Sequence, residues 1–190
     1  MKKHPAPADI IRKYYARQPV AHEILLDHSR KVTRRALAIG RRLVAAGEAV
    51  DLQFLAEAAM LHDIGMIMTD TPDLDCHGDG SYMLHGIKGK ELLDQEGLSR
   101  HARVCERHIG VGLTAKDIEK QQLPLPFRDM IPETIEEQII SYADLFYSKG
   151  SKNRLKEKSP DKIRKKLTSF GSDKVAIFDR WQRHFEPHLS

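Results

Sequence analysis

Apolar residues recur along this chain at intervals of three and four, and no stretch alternates long enough to line one face of a strand. Ile10, Ile11, Tyr14 and Tyr15 mark a short amphipathic helix after Pro5 and Pro7, with Asp9 as its expected cap. Pro19 opens a longer one that carries Ile24, Leu25, Val32, Ala36, Ile39 and Leu43 and stops at Gly47, with His28 inside it. Asp51 is placed to cap a third helix through Leu55, Ala58, Ala59 and Leu61, ending near Ile64 and Gly65, so that His62 and Asp63 fall in its last turn. Residues 69–81 are rich in Asp, Thr, Pro and Gly and read as a loop long enough to serve as a lid. Helical pattern resumes over 84–95 and 99–108, placing His85 at the start of one helix and His108 at the end of the other. Thr114 with Asp117 marks another helix start, and a helix after Pro132 carries Ile135, Ile139, Ile140 and Ala143 beside Asp144. Two more begin at Ser159 and Ser172, the second with Val175, Phe178, Trp181 and Phe185 on one face. The predicted architecture is an all-α bundle forming one domain over 1–190, with a motif-bearing core at about 20–148 and a basic helical extension at about 149–190.

Composition narrows the class. With 41% hydrophobic and 31% charged residues in 190, the chain is long enough to build a core without metal or disulfide staples, so any metal would be there for chemistry. Cys76 and Cys105 form no paired motif, and no secretory segment follows Met1, which points to a reducing cytoplasmic setting. No apolar run approaches the roughly 20 residues of a membrane span. The net charge of +4 is uneven: nine basic residues from Lys149 to Lys166 face only Glu157 and Asp161. That segment suits nucleic acid, a membrane surface or a phosphorylated small molecule, although a solvated helix face is the favoured reading.

Ten histidines are the unusual count, because imidazole is both a common metal ligand and the group that titrates near neutral pH. His62 and Asp63 set a nitrogen ligand and a carboxylate side by side at a helix end that the preceding apolar run places in the interior. A lone Asp63 charge there would cost several kcal/mol, so a cation or a full set of hydrogen bonds is expected to complete it.

In Leu61-His62-Asp63-Ile64-Gly65 the chain resembles the HD-domain superfamily of metal-dependent phosphohydrolases, in its His-Asp-Ile-Gly subset. The resemblance extends to His28 on an earlier helix and to Asp144 on a later one, and covers roughly residues 20–148. It implies that His28, His62, Asp63 and Asp144 ligate one metal, and that His85 and His108 complete a second site with Asp63 bridging. Mixed imidazole and carboxylate donors favour Mn, Fe, Co, Ni or Zn. The implied activity is hydrolysis of a nucleotide or another small phosphate ester or anhydride by a metal-activated water, with His62 and Asp63 catalytic. Lys31, Lys88, Arg107 and Lys149 are the candidate substrate-binding cations. Ile109, where relatives with cyclic-dinucleotide activity often carry a second consecutive His, would weaken or remove the second ion, so one or two metal ions are expected; Met66, where many carry Lys, counts against that substrate. The competing expectations are a metal- and nucleotide-binding sensor without turnover, and an RNA-associated protein using the basic segment 149–166. A small phosphorylated molecule is the expected partner, and nucleic acid the less favoured one. His4, His22, His101, His184 and His188 are expected to pack or face solvent, and His77 sits in an acidic loop that reads as solvated.

Overall fold

The computed structural model describes residues 5–150 and 156–189. It is helical: α1 Pro7–Tyr15, α2 Pro19–Ala45, α3 Leu52–Leu61, α4 His85–Gln95, α5 Ser99–Arg107, α6 Ala115–Gln121, α7 Ile135–Asp144, α8 Pro160–Thr168 and α9 Ser172–Phe185. The loop after α3 contains one small departure from the all-α pattern, an antiparallel pair of two-residue strands, β1 Asp70–Thr71 and β2 Cys76–His77. Among the described residues, no helix is long and apolar enough to cross a membrane.

Local chemistry sets most helix ends. Asp51 accepts the Phe54 amide at 3.0 Å, Thr114 and Asp117 form a reciprocal capping box, and Ser159 receives the Lys162 amide. Gly47 leaves α2 at φ +88, a conformation a side chain resists. Asp9 does not cap α1: Ala6 holds that position, and Asp9 lies in the first turn, paired with Arg12. Proline at the first helical positions needs no amide there, so α1 starts two residues before the expected cap.

Two buried apolar clusters divide the interior. One joins the later half of α2 (Val32, Ala36, Ile39, Leu43) to α3, α7, α8 and α9 and holds Tyr142, Phe146, Phe178, Trp181 and Phe185. The other joins α1 and the first half of α2 (Ile24, Leu25) to Ile64, Met66 and Ile67 and to α4 and α5. His28 lies on α2 between Leu25 of one cluster and Val32 of the other; His62 follows Leu61, and Asp144 follows Ala143. The chemistry-bearing residues therefore sit where the clusters meet.

Candidate metal centre

His62 and Asp63 lie just beyond the last residue of α3 rather than within its final turn, and a 3₁₀ turn, Ile64–Met68, follows. That break lets two adjacent side chains reach one place, which ideal helix geometry would splay by about 100°. Gly65 makes the next step possible. A Cβ there would lie 2.1 Å from both the His85 carbonyl and the Gly89 amide, so the turn rests directly on the backbone of α4. Gly86 does the same for α4 on α5, where a Cβ would stand 2.6 Å from the Cys105 carbonyl. Two close backbone approaches thus draw Asp63, His85 and His108 together.

The donor atoms form two groups that can each hold a metal ion: His28, His62, Asp63 and Asp144 in one, Asp63, His85 and His108 in the other. In the first, Asp63 Oδ2 lies 3.0 Å from Nε2 of His28 and of His62, and Asp144 Oδ1 lies 2.9 Å from His28 Nε2. In the second, Asp63 Oδ1 lies 3.4 Å from Nε2 of both His85 and His108. One carboxylate thus turns an oxygen to each group.

Ring orientation carries further information. His62 Nδ1 faces the Ala59 carbonyl at 2.7 Å, His85 Nδ1 that of Tyr82 at 2.6 Å, and His108 Nδ1 that of Cys105 at 2.8 Å. A carbonyl only accepts, so each Nδ1 carries the proton. In a neutral ring, Nε2 then offers a lone pair to the centre, the arrangement that metal-bound imidazoles use. His85 and His108 bring those nitrogens to 3.1 Å of each other. Asp63 Oδ1, Asp63 Oδ2 and Asp144 Oδ1 are buried without a well-aligned hydrogen bond. Converging ring nitrogens beside buried carboxylate oxygens fit a divalent cation.

Charge inside the centre is polarised. Burial opposes ionisation of His62, yet the Asp63 and Asp144 carboxylates outweigh it and lift the group to about 10. Burial drives His85 down to about 3. Burial would raise both aspartates, but His62 and Lys149 beside Asp63, and Lys149 and His28 beside Asp144, hold them well below the usual carboxylate range. Lys149 stands with its ammonium 2.6 Å from Asp63 Oδ2.

A cavity of about 650 Å³ opens from this centre, reaching His85, His108 and Asp144. Its lining includes Lys149, Lys158, Lys166 and Lys174 among apolar residues such as Leu113, Leu123 and Phe170. Of the four candidate cations, the structure brings Lys149 to the centre. Lys31 pairs with Asp27, Lys88 with Glu91, and Arg107 with Glu133 and Glu137, and none of these three lines the cavity. The basic segment divides: Lys158 and Lys166 face the cavity, Arg164 pairs with Asp161 and Asp179, and Lys152 and Arg154 lie outside the described residues. Lys174 and Tyr82 were not foreseen. Tyr82 stacks on His85 with ring centroids 4.5 Å apart, and burial pushes its hydroxyl up to about 12. Its position three residues before His85 was the available signal.

The other histidines stand apart. His101 meets the Phe54 ring edge-on and Glu57 at 3.3 Å, His184 pairs with Glu48, and exposed His77 faces Asp75. His22 tilts against the Tyr15 ring, and His188 is exposed; His4 is outside the described residues.

The sequence model of the HD domain matches residues 25–148. A tRNA (cytidine(56)-2'-O)-methyltransferase of Picrophilus torridus is 36% identical over 131 residues, 65% of this chain and 31% of that protein. The enzyme of the same name from Thermoplasma volcanium is 29% identical over 169 residues, 88% of this chain and 43% of its own length. An uncharacterised protein of Methanocaldococcus jannaschii is 33% identical over 123 residues, 64% of this chain and 65% of its length. The chain thus spans less than half of the named methyltransferases it matches. No solved structure matches.

These relatives overturn three expectations drawn from the ligand motif. Phosphohydrolysis of a nucleotide or small ester, the hydrolase class, and a small phosphorylated partner in preference to nucleic acid all give way, because the activity in the relatives' name is methylation of tRNA. The physical reason is that an ordered set of ligands reports a fold and a donor geometry. What reaches those donors is decided by walls that the motif does not encode.

Proposed function

This chain belongs to the HD-domain family, and on that premise we propose that it is a metal-binding, RNA-associated unit serving tRNA modification. The observation that carries the reading is the lysine-bearing cavity at the mouth of the His/Asp centre, in a chain whose named relatives act on tRNA. An apolar wall with ammonium groups is suited to an unstacked base and its phosphates. His28, His62, Asp63 and Asp144 would hold one divalent transition metal ion of the Mn, Fe, Co, Ni or Zn class; Asp63, His85 and His108 would hold a second. A bound ion supplies fixed positive charge for a phosphate oxygen. Around it, His62, His85 and His108 are kept in one tautomer by backbone carbonyls, Tyr82 shields His85, and the lysines add charge along the cavity. The chain acts as one unit, since α8 and α9 complete the apolar cluster begun by α2 and α3. Methyl transfer is the activity this unit serves, and RNA handling is its own part in it.

Fluorescence anisotropy of labelled tRNA, titrated with the full chain over a series of salt concentrations, tests this. Binding should weaken steeply with salt, and Lys166→Met should reduce the log–log slope by about 0.7 to 0.9, one phosphate contact. Absent or salt-independent binding rejects the reading.

A further inference from the structure

Asp63 Oδ2 has more claimants than any other oxygen at the centre: Nε2 of His28 and of His62 each at 3.0 Å, and Lys149 Nζ at 2.6 Å. An ammonium so close engages the lone pair that a metal ion would need, and two cations sharing one oxygen repel. The Lys149 side chain is 11% exposed and lines the cavity, which offers its head group space away from the carboxylate. We propose that Lys149 and a divalent cation are alternative occupants of Asp63 Oδ2, and that loading the centre releases the Lys149 ammonium into the cavity, where it joins Lys166 as a site for a phosphodiester anion. This deepens the metal-centre reading and rests on it.

The surrounding structure supports a side-chain swing without backbone travel. Lys158 fixes the chain just before Lys149: its ammonium donates to the carbonyls of Leu145 at 3.1 Å and Tyr147 at 3.0 Å, and its amide to that of Phe146 at 2.9 Å. Lys149 has four rotatable bonds on a flexible stem, enough to turn the head group from Asp63 toward the lumen. The Tyr82 ring, 5.8 Å from the ammonium, borders the path. Asp63 and Asp144 remain compensated by the incoming dication. Because the exchange links two sites, an anion that holds the freed ammonium must tighten the metal by the same factor that the metal tightens the anion.

Two measurements on the full chain decide it. In calorimetric titration with Mn²⁺, Lys149→Met should bind about tenfold more tightly than wild type or better, whereas Lys90→Met, which removes an ammonium paired with Asp94 outside the cavity, should match wild type. Amine acylation of wild-type protein, read by mass spectrometry, should show Lys149 labelling rise on adding Mn²⁺ while Lys158 holds steady; this arm needs no variant to fold. Unchanged or weaker affinity in folded Lys149→Met, an equal gain in Lys90→Met, or Lys149 labelling indifferent to bound Mn²⁺ overturns the exchange. If neither Mn²⁺ nor Zn²⁺ binds any of these proteins, the metal-centre reading fails as well. RNA enters none of these readouts, so loss of tRNA binding would leave the exchange intact.

Discussion

Two polar clusters, one buried and one reaching the surface at Glu157, hang from the same helices and resolve their charge in different ways. On α2, His28 and Arg35 are two turns apart. Arg35 pairs with Glu157 and Glu186 and lies 3.3 Å above the centre of the Phe146 ring; Glu186 takes the Tyr142 hydroxyl at 2.9 Å, and Glu157 that of Tyr147 at 3.1 Å. Those carboxylates are met by a guanidinium and by phenols. Around His28, carboxylate oxygens face ring nitrogens and one ammonium without a well-aligned bond. Charge met by a guanidinium and phenols is architecture; charge met by converging ring nitrogens and a single flexible ammonium is a binding site.

Breaking each cluster should therefore cost different things. The largest effect is expected from Arg35→Met, which strands the largely buried Glu186 carboxylate. It should lower the unfolding free energy by about 3 kcal/mol, judged by urea denaturation, yet leave Mn²⁺ affinity of the folded protein within about twofold, as expected for distant sites. Next comes ligand removal: metal at a hundred times its dissociation constant should stabilise wild type by about 2.7 kcal/mol, an increment that a chelator abolishes. Asp63→Asn should lose that increment altogether in the same denaturation series. His85→Gln should change stoichiometry rather than existence, taking calorimetric Mn²⁺ binding from two ions to one. The smallest effect belongs to a third ion pair. Burial pulls Asp117 up, but Lys174 and the Thr114 donors outweigh it and hold the carboxyl below its ordinary value. A lowered folded value means that its contribution is present above the unfolded value of about 3.9 and is lost as pH falls through the folded one. Asp117→Asn should flatten that part of the acid limb, seen as a smaller change in urea midpoint between pH 5 and pH 3.

What the chain order reveals is mostly what adjacent residues decide. The Pro19 start and Gly47 stop of α2, the Asp51 cap and the Thr114–Asp117 box are chemistry among neighbours and could be read directly. The histidines and aspartates could be picked out because helical spacing and motif order coincide. Lys149 reaching Asp63 depends on where the chain after α7 returns, and Lys174 reaching the cavity depends on α9 crossing the loop at Gly112; neither has a local signature. The two-residue strands likewise arise from a loop folding on itself, Asp70 against His77, rather than from any alternating pattern. The partner class was the least accessible, because it depends on the cavity walls.

The three imidazoles that face carbonyls all use the same one: that of the residue three positions earlier, Ala59 for His62, Tyr82 for His85 and Cys105 for His108. Their aim is set by the peptide backbone of their own turn rather than by neighbouring side chains. The side chains at those positions bear on the centre through packing, Ala59 and Cys105 being fully buried, and not through the bond that fixes the tautomer. The direction of these three rings is thereby written into the backbone of their own turns.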